Sequence, residues 1–272
     1  MNRERLQRPV SLGLRLISYG MMAFLYIPIL VIIVFSFKNS KYGVDFQIAQ
    51  PLFKWYSALF DNDQILAAAE NTMIVGLIST FISTILGSLL GYGLHRYKFP
   101  GSRLFAWLMY IPVVTPDIVM AISLLLMYAA LRNIFPIFEP SLFTMIIAHI
   151  TFQISFVAIV VRSRLAGLDN ALEEAARDLY ANAWQAVQYV VLPLAIPGIV
   201  AGALLAFTLS IDDFVISYFT SGPTSGTLPI WIYTTVKRGI TPDINALSTI
   251  IVLLTMIAVA LSNLLQRNSS QK

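Results

Sequence analysis

Three aspartates stand in otherwise apolar stretches of the chain, where their carboxylates could contact a cation. Asp117 lies within one apolar run, and the neighbouring Asp212 and Asp213 lie near the end of another. Of the fourteen acidic residues only these three fall inside the predicted membrane spans, and no lysine or arginine falls in a span interior. Carboxylates are costly inside a membrane and usually serve a function with a partner. Because the spans offer no basic partner, we expect a cationic solute to fill that role.

The same aspartates also fit the start of a helix. The run Thr115-Pro116-Asp117 is typical of a cap, a proline at the first helical position and an acid in the first turn. Ser210 and Asp213 have the spacing of a capping box. Each acid could therefore restart a broken helix, and discontinuous helices are where membrane transporters place their ion and substrate sites. The candidate residues of a solute pathway are Asp117, Ser210, Asp212 and Asp213, together with Trp55 of the first outer loop.

The composition places these acids in a membrane protein. Of the 272 residues, 57% are hydrophobic and 12% are charged, whereas ordinary soluble domains carry about 25% charged residues. So few polar side chains could not cover the surface of a soluble fold. Intrinsic disorder is excluded as well, because it requires low hydrophobicity and high charge.

Several kinds of chemistry are excluded by what the sequence lacks. The net charge is +4, but the basic residues form no patch with interleaved aromatics, so we expect no nucleic-acid partner. The absence of cysteine excludes thiolate nucleophiles and cysteine-containing zinc sites, and with only His95 and His149 we expect no metal site. None of the six lysines follows a glycine, so the chain has no P-loop and no catalytic residue for ATP hydrolysis is expected.

Six apolar runs reach the length of about 20 residues that a membrane-spanning helix needs. They cover residues 16–37, 72–94, 104–131, 141–161, 193–220 and 247–265. With a cytoplasmic N-terminus, twelve lysines and arginines fall in the inner segments and six in the outer ones, so the positive-inside rule places both termini in the cytoplasm. We predict an all-α membrane protein with six transmembrane helices in a single domain, residues 1–272.

The longest inner loop, residues 162–192, has an amphipathic pattern. Asn170 and Glu173 have the spacing of a capping box, which predicts a helix beginning at Ala171. A second helix is predicted after Asn182, and apolar residues recur on one face of each. The face of the first helix consists of Leu172, Ala175, Ala176 and Leu179. The loop is either a solvated segment folded against the membrane or a docking surface for a cytoplasmic partner, because helix-in-groove recognition uses this spacing.

This loop resembles the EAA loop of ABC importer permeases. Glu174-Ala175-Ala176 is followed, at the family's spacing, by Val190 and by Leu192-Pro193. In that family the loop forms a coupling helix that docks into a groove of the ATPase subunit. Tyr180 stands where the family has glycine, which suits a turn of positive φ that tyrosine adopts only at a cost. The resemblance implies that the ATPase-coupling residues are Glu173, Glu174, Ala175, Ala176, Asp178 and Leu179.

The resemblance extends over nearly the whole chain. Lys54-Trp55-Tyr56 and residues 115–123, 209–213 and 245–250 look like the C-type permeases of spermidine/putrescine ABC importers. This implies a six-span type I importer permease with the MetI-like fold in the bacterial inner membrane. It further implies a homologous second permease, two ATPase subunits that use ATP and Mg, a periplasmic polyamine-binding protein and a polyamine substrate. No cofactor is expected on this chain itself.

Three further aromatic and polar residues could serve either the fold or a ligand. Trp55 in the first outer loop is either a membrane-interface anchor or a cation–π partner for an ammonium group. His149 and Gln153 lie one turn apart in the fourth span, and such a pair more often makes hydrogen bonds between helices than contacts with a ligand.

Two other functions stay open at this point. A proton-coupled secondary transporter would use the same aspartates as a relay and would need no ATPase. The two halves show no convincing internal repeat, which argues mildly against that class. Within the ABC family, the solute could instead be an opine, an aminophosphonate or iron.

Overall fold

The computed structural model describes residues 12–39, 47–169 and 171–269. The predicted cap Asn170 and the basic residues before Leu12 lie outside these ranges. The described chain is built of helices, which confirms the all-α prediction. The helices are α1 Leu12–Phe35, α2 Lys54–Phe60, α3 Asp63–Arg96, α4 Ser102–Leu108, α5 Ile111–Val114, α6 Asp117–Leu131, α7 Leu142–Ala166, α8 Ala171–Asp178, α9 Ala183–Ala186, α10 Leu192–Asp212, α11 Val215–Thr220, α12 Leu228–Val236 and α13 Pro242–Ser269.

The helices are compatible with six membrane spans. Four are long and apolar enough to cross a bilayer: α1, α3, α7 and the continuous stretch Ala183–Asp212. The bent pair Ser102–Val114 and Asp117–Leu131 supplies a fifth span if it is taken as one unit. The sixth predicted span lies in α13, whose first part, Pro242–Ile257, is apolar.

The third span, predicted over residues 104–131, is broken, in agreement with the interpretation that Asp117 restarts a helix. The chain bends by 108° between α5 and α6. Thr115 at the break is extended, with φ −71° and ψ 130°, because a residue before proline avoids the helical region. Asp117 lies in the first turn of α6, as predicted. The predicted cap is wrong by one residue, because Pro116 is the N-cap and the Thr115 hydroxyl donates back to the Ile111 carbonyl at 2.7 Å.

The fifth span begins earlier than predicted and ends in a second break. The helix that starts at Ala183 continues into α10 through a π-helical turn, Val187–Val191. Such wider turns accommodate proline, and here the turn lies directly before the Leu192-Pro193 start of α10. At the other end α10 stops at Asp212, and α11 begins at Val215.

Contacts divide the chain into two units. In the first unit, Met1–Asp63 with Thr234–Lys272, α13 packs against α1 and α2. In the second unit, Gln64–Tyr233, α7 is the central helix and packs mainly against α10, while α11 packs against α6. The core of the second unit is formed by buried residues of these helices, among them Tyr128, Phe152 and Val157.

Glycine allows α3 to approach α7 closely. A Cβ atom on Gly91 would lie 2.7 Å from the Ala158 carbonyl oxygen, and one on Gly87 would lie 2.7 Å from the Val157 Cβ. Both distances are shorter than normal contacts. Small residues in membrane helices permit such packing because burial itself drives little helix association in lipid.

Candidate functional site

The two helix breaks meet at one cavity of about 310 Å³ in the second unit. Asp117 begins α6, Asp212 ends α10, and Asp213 lies in the gap before α11. All three carboxylates line the cavity. The structure thus brings together the three intramembrane acids that the sequence singled out from two separate spans.

Aromatic rings form much of the remaining wall. Phe152 and Phe156 of α7 and Phe214 beside Asp213 all line the cavity. Phe214 also belongs to a cluster, with its ring centroid 4.3 Å from that of Tyr233 and 5.4 Å from that of Tyr218. Ring faces carry partial negative charge that attracts cations. These aromatic walls were not predicted from the sequence, although the adjacency of Phe214 to the aspartate pair was a signal.

Asp213 fixes the start of α11. Its Oδ1 accepts a hydrogen bond from the Ile216 backbone N–H at 3.2 Å, and its Oδ2 accepts one from the Ser217 N–H at 2.7 Å. The interpretation that this acid restarts a broken helix is therefore confirmed. The proposed capping box of Ser210 with Asp213 is wrong, because α10 continues through Ser210 to Asp212 before it breaks.

His149 connects α7 to both sides of the second break. Its side chain is fully buried, with Nδ1 2.7 Å from the Ser210 Oγ and Nε2 3.0 Å from the Ser217 Oγ. The same Nε2 lies 3.4 Å from the Asp213 Oδ2. A proton on Nε2 suits this arrangement, because Nε2–H then points to oxygen acceptors while Nδ1 accepts from the Ser210 hydroxyl.

Gln153 makes the second predicted connection between helices. Its amide nitrogen donates to the Ala206 carbonyl of α10 at 3.1 Å, and its amide oxygen accepts from the Ser83 hydroxyl of α3 at 3.0 Å. The prediction of interhelical hydrogen bonds for His149 and Gln153 is confirmed. The sequence did not indicate the contact between His149 and Asp213.

Asp117 and Asp212 differ from Asp213 in their surroundings. Both are exposed at the cavity, whereas the Asp213 side chain is largely buried. Within the described residues, no lysine or arginine forms a salt bridge with any of the three. Two carboxylates are thus open to a solute, and the third is held in place by the protein.

Trp55 lies in the first unit, whereas the aspartates lie in the second. Its ring is buried, with 8% exposure, and its Nε1–H donates to the Lys38 carbonyl oxygen at 2.6 Å. The Lys54 ammonium lies 5.1 Å from the ring centroid. Trp55 therefore contacts a cation of its own chain and anchors the segment that follows α1 to the start of α2.

The predicted loop helix is present and is tied to α3. α8 begins at Ala171, as expected, and the Asp169 carboxylate accepts from the Ala171 N–H at 2.9 Å. Glu173 Oε1 lies 2.8 Å from the Arg96 guanidinium at the end of α3 and 3.1 Å from that of Arg177. The second helix also begins as predicted, with Asn182 and Gln185 forming a capping box.

α8 ends in a left-handed turn at Tyr180, the position at which ABC importer permeases have glycine. Tyr180 adopts φ 63°, and the Ala181 N–H donates to the Ala176 carbonyl while the Tyr180 N–H donates to that of Arg177. These two bonds form a Schellman motif, whose left-handed residue is usually glycine. The tyrosine thus keeps the turn geometry despite its side chain.

The surface around this turn is apolar and exposed. Leu179, Tyr180 and Trp184 are 82%, 97% and 72% exposed. Glu174 and Asp178 beside them are exposed as well, whereas Glu173 is half-buried. We call this surface, consisting of Glu174, Asp178, Leu179, Tyr180 and Trp184, the loop surface. In the part of the chain that the structure describes, no group of three or more His, Asp or Glu side chains is placed to hold a metal ion.

Comparisons with known proteins assign the family. Residues 83–272 match the family described as "Binding-protein-dependent transport system inner membrane component". The chain is 40% identical over 261 residues to the spermidine/putrescine transport system permease protein PotC of Escherichia coli strain K12, covering 94% of this chain and 96% of that protein. It is 38% identical over 231 residues to the putrescine transport system permease protein PotI of the same strain, covering 84% and 81%.

A solved structure shows the same fold. The chain superposes with a TM-score of 0.72 on a chain of a bacterial ABC transporter involved in the import of the acidic polysaccharide alginate, at 19% identity, covering 93% of this chain and 94% of that one. The type I permease fold expected from the sequence is thereby confirmed. The chain belongs to the family of binding-protein-dependent transport system inner membrane components, and it is a membrane permease of the ABC importers.

Proposed function

We propose that this chain forms half of the membrane pathway of an ATP-driven polyamine importer. The observation that carries the proposal is the cavity in which Asp117, Asp212 and Asp213 meet aromatic walls, with no lysine or arginine among the described residues that line it. A polyamine carries ammonium groups separated by aliphatic segments. Carboxylates suit the ammonium groups, and phenylalanine rings suit both the cations and the aliphatic segments. The names of PotC and PotI point to the same solute class.

The three carboxylates have different roles in this proposal. Asp117 and Asp212 are exposed and contact the passing cation directly. Asp213 contributes its charge while its hydrogen bonds to α11 keep the break in place. Ser210 acts through His149, to which its hydroxyl is bound. Trp55 belongs to the first unit, and its cation–π partner in this proposal is the Lys54 ammonium of the same chain.

The loop surface is the proposed docking site for an ATPase subunit. Glu173 holds α8 against Arg96 of α3, while Glu174, Ala175, Ala176, Asp178 and Leu179 are available to the partner. The helix that begins at Ala183 runs without a gap to Asp212 over 30 residues. A displacement of the loop by the ATPase is therefore carried along one helix to the carboxylate cavity.

The full assembly in this proposal contains other subunits. A second, homologous permease completes the pathway, and two ATPase subunits use ATP and Mg. A periplasmic binding protein delivers the polyamine, and both termini of this chain lie in the cytoplasm, so that α8 faces the ATPase.

Uptake by the assembled transporter tests the proposed function. Proteoliposomes containing the two permeases and the ATPases would be given the binding protein and labelled spermidine or putrescine. We expect uptake that requires ATP, and no uptake when the permeases are present alone. Uptake by the permeases alone would indicate a secondary transporter. Uptake of an opine, an aminophosphonate or iron in place of polyamines would contradict the solute assignment.

A further inference from the structure

The short segment between α11 and α12 is bound to α3 by three hydrogen bonds. The Asn71 amide nitrogen donates to the Thr224 carbonyl oxygen at 3.3 Å and to the Gly226 carbonyl oxygen at 3.0 Å. One residue later in α3, the Thr72 hydroxyl accepts the backbone N–H of Leu228 at 2.8 Å. We call these three bonds the α3 clasp. Because Leu228 is the first residue of α12, the clasp fixes the start of α12 to α3.

The other side of the same segment contacts the start of α7. The Thr144 hydroxyl donates to the Thr220 carbonyl oxygen at the end of α11, at 3.0 Å. Gly222 packs directly on the Pro140 backbone, where a side chain would not fit. α11 itself packs against α6 and α7. Residues 221–227 therefore connect α11, which is held by α7, to α12, which is held by α3.

The opposite end of α3 is bound to α8. Arg96, the last residue of α3, donates a hydrogen bond to the Glu173 carboxylate at 2.8 Å. Glu173 and Ala176 are half-buried, whereas the other residues of α8 are exposed. The ion pair of Glu173 with Arg96 is therefore a direct connection between α8 and a helix long enough to cross the membrane.

Between these two contacts α3 is one uninterrupted helix, Asp63–Arg96. From Asn71 to Arg96 it rises about 38 Å. It packs tightly on α7 at Gly87 and Gly91, where an added Cβ would be too close to α7. Arg96 lies about 8 Å beyond this glycine contact, whereas Asn71 lies about 24 Å from it in the other direction. A tilt of α3 about the glycine contact therefore moves its Asn71 end further than its Arg96 end.

We propose that Asn71 and Thr72 are positioning residues through which a displacement of α8 reaches the wall of the carboxylate cavity. A displacement of Arg96 tilts α3, the α3 clasp moves the start of α12 with it, and α11 stays with α7. Tyr233 of α12 then separates from Phe214, which lines the cavity and whose ring centroid lies 4.3 Å from that of Tyr233. The inference rests on the proposed function, because the ATPase bound at the loop surface is the source of the displacement.

This connection differs from the continuous helix Ala183–Asp212. That helix ends before the second break, whereas α3 is bound to α12, which follows the break. The loop that contains α8 and α9 is thus connected to both sides of the break, to α10 through α9 and to α12 through α3. Two separate connections allow the two sides of the cavity to move relative to each other.

Hydrogen exchange in the assembled transporter tests the proposal. It would be measured by mass spectrometry with and without a non-hydrolysable ATP analogue and Mg. The Gly222 N–H donates to the Ser225 hydroxyl oxygen, and the Ser225 N–H donates to the Gly222 carbonyl oxygen. Separation of α12 from α11 stretches this turn, so we expect both amides to exchange about fivefold faster with the analogue, the factor to which one hydrogen bond of about 1 kcal/mol corresponds.

Two substitutions should abolish this response. Asn71→Leu removes the amide donor of the α3 clasp, and Arg96→Gln removes the ion pair with Glu173. Asn133→Leu, an exposed asparagine after α6, and Arg103→Gln, an exposed arginine of α4, are the matched controls and should respond like the unaltered complex.

Three results would overturn the proposal. They are an unaltered transporter that shows no response to the analogue, a full response in Asn71→Leu or in Arg96→Gln, and a response that is lost equally in the two controls. If Asn71→Leu does not assemble, Thr72→Val removes the acceptor of the Leu228 N–H and should likewise abolish the response.

Failure of this inference can be distinguished from failure of the proposed function. The exchange is measured without a solute, so a failed polyamine assay leaves its result intact. Copurification of the ATPase with the permease tests the docking proposal separately. A missing response in a complex that retains its ATPase therefore counts against the role of α3 alone.

Discussion

The Nε2 atom of His149 lies 3.4 Å from the Oδ2 atom of Asp213 and joins the central helix α7 to the break between α10 and α11. The imidazole is fully buried and also contacts Ser210 and Ser217. One side chain therefore holds the end of α10, the start of α11 and the carboxylate between them. The geometry of the cavity depends on this contact, because Asp212 and Phe214 flank Asp213 directly in the chain.

Replacement of His149 should loosen the break. In His149→Leu the Ser210 and Ser217 hydroxyls lose their buried partner, and a lost partner of this kind costs about 1–3 kcal/mol. We expect a lower melting temperature of the purified transporter and slower uptake. Thr151→Val, whose hydroxyl bonds only within α7, is the control and should change neither. An unchanged melting temperature in His149→Leu would contradict the positioning role.

Two substitutions of Asp213 separate the effect of its charge from its effect as a cap of α11. In the variant Asp213→Asn the amide oxygen can still accept a hydrogen bond from the backbone N–H groups of α11, whereas Asp213→Ala offers no acceptor, and loss of an N-terminal cap costs about 1 kcal/mol. We expect Asp213→Asn to keep most of the melting temperature but to reduce uptake, and Asp213→Ala to reduce both. Normal uptake by Asp213→Asn would show that the residue serves the helix alone.

Glycine at position 180 should stabilise the loop. The left-handed conformation costs a non-glycine residue roughly 1–2 kcal/mol, and Tyr180 adopts it at φ 63°. Tyr180→Gly should therefore raise the stability of the α8 turn by about 1 kcal/mol, measured as slower amide hydrogen exchange over α8. Tyr180→Ala removes the same ring without relieving the backbone and is the control. Equal exchange rates in the two variants would argue against strain at this turn.

The loop surface should no longer bind the ATPase when the charge of Glu174 is inverted. Glu174 is exposed beside Leu179, whereas Glu173 is engaged by Arg96. Glu174→Arg should abolish copurification of the ATPase with the permease while leaving the permease folded. Gln188→Arg adds a positive charge at another exposed position of the same loop and should copurify normally. Retention of the ATPase by Glu174→Arg would remove the basis for the docking proposal.

Local signals in the sequence predicted the elements well. The cap at Asn182, the start of α8 at Ala171 and the four-residue spacing of His149 and Gln153 all depend on residues within a turn or two, and the structure agrees with each. The three intramembrane aspartates could likewise be found by locating the charged residues within apolar runs.

The features that the sequence did not show depend on packing between distant segments. Pro116 indicated an irregularity, but not the size of the bend, which is 108°. The contact of His149 with Asp213 joins two spans that no local pattern connects. For the same reason the helix continuing from Ala183 into α10 was missed, since Pro193 suggests a boundary unless a π-helical turn precedes it.

The passage of a cation through the carboxylate cavity is tested most directly by spermidine uptake in proteoliposomes with the double variant Asp117→Asn/Asp212→Asn. Glu139→Gln, a carboxylate outside the cavity, is the matched control. Loss of charged contacts worth about 1.5–3 kcal/mol corresponds to a reduction of tenfold or more. We predict that reduction in the double variant, with ATPase copurification intact and normal uptake in Glu139→Gln. Uptake by the double variant at the rate of the unaltered transporter would contradict the account.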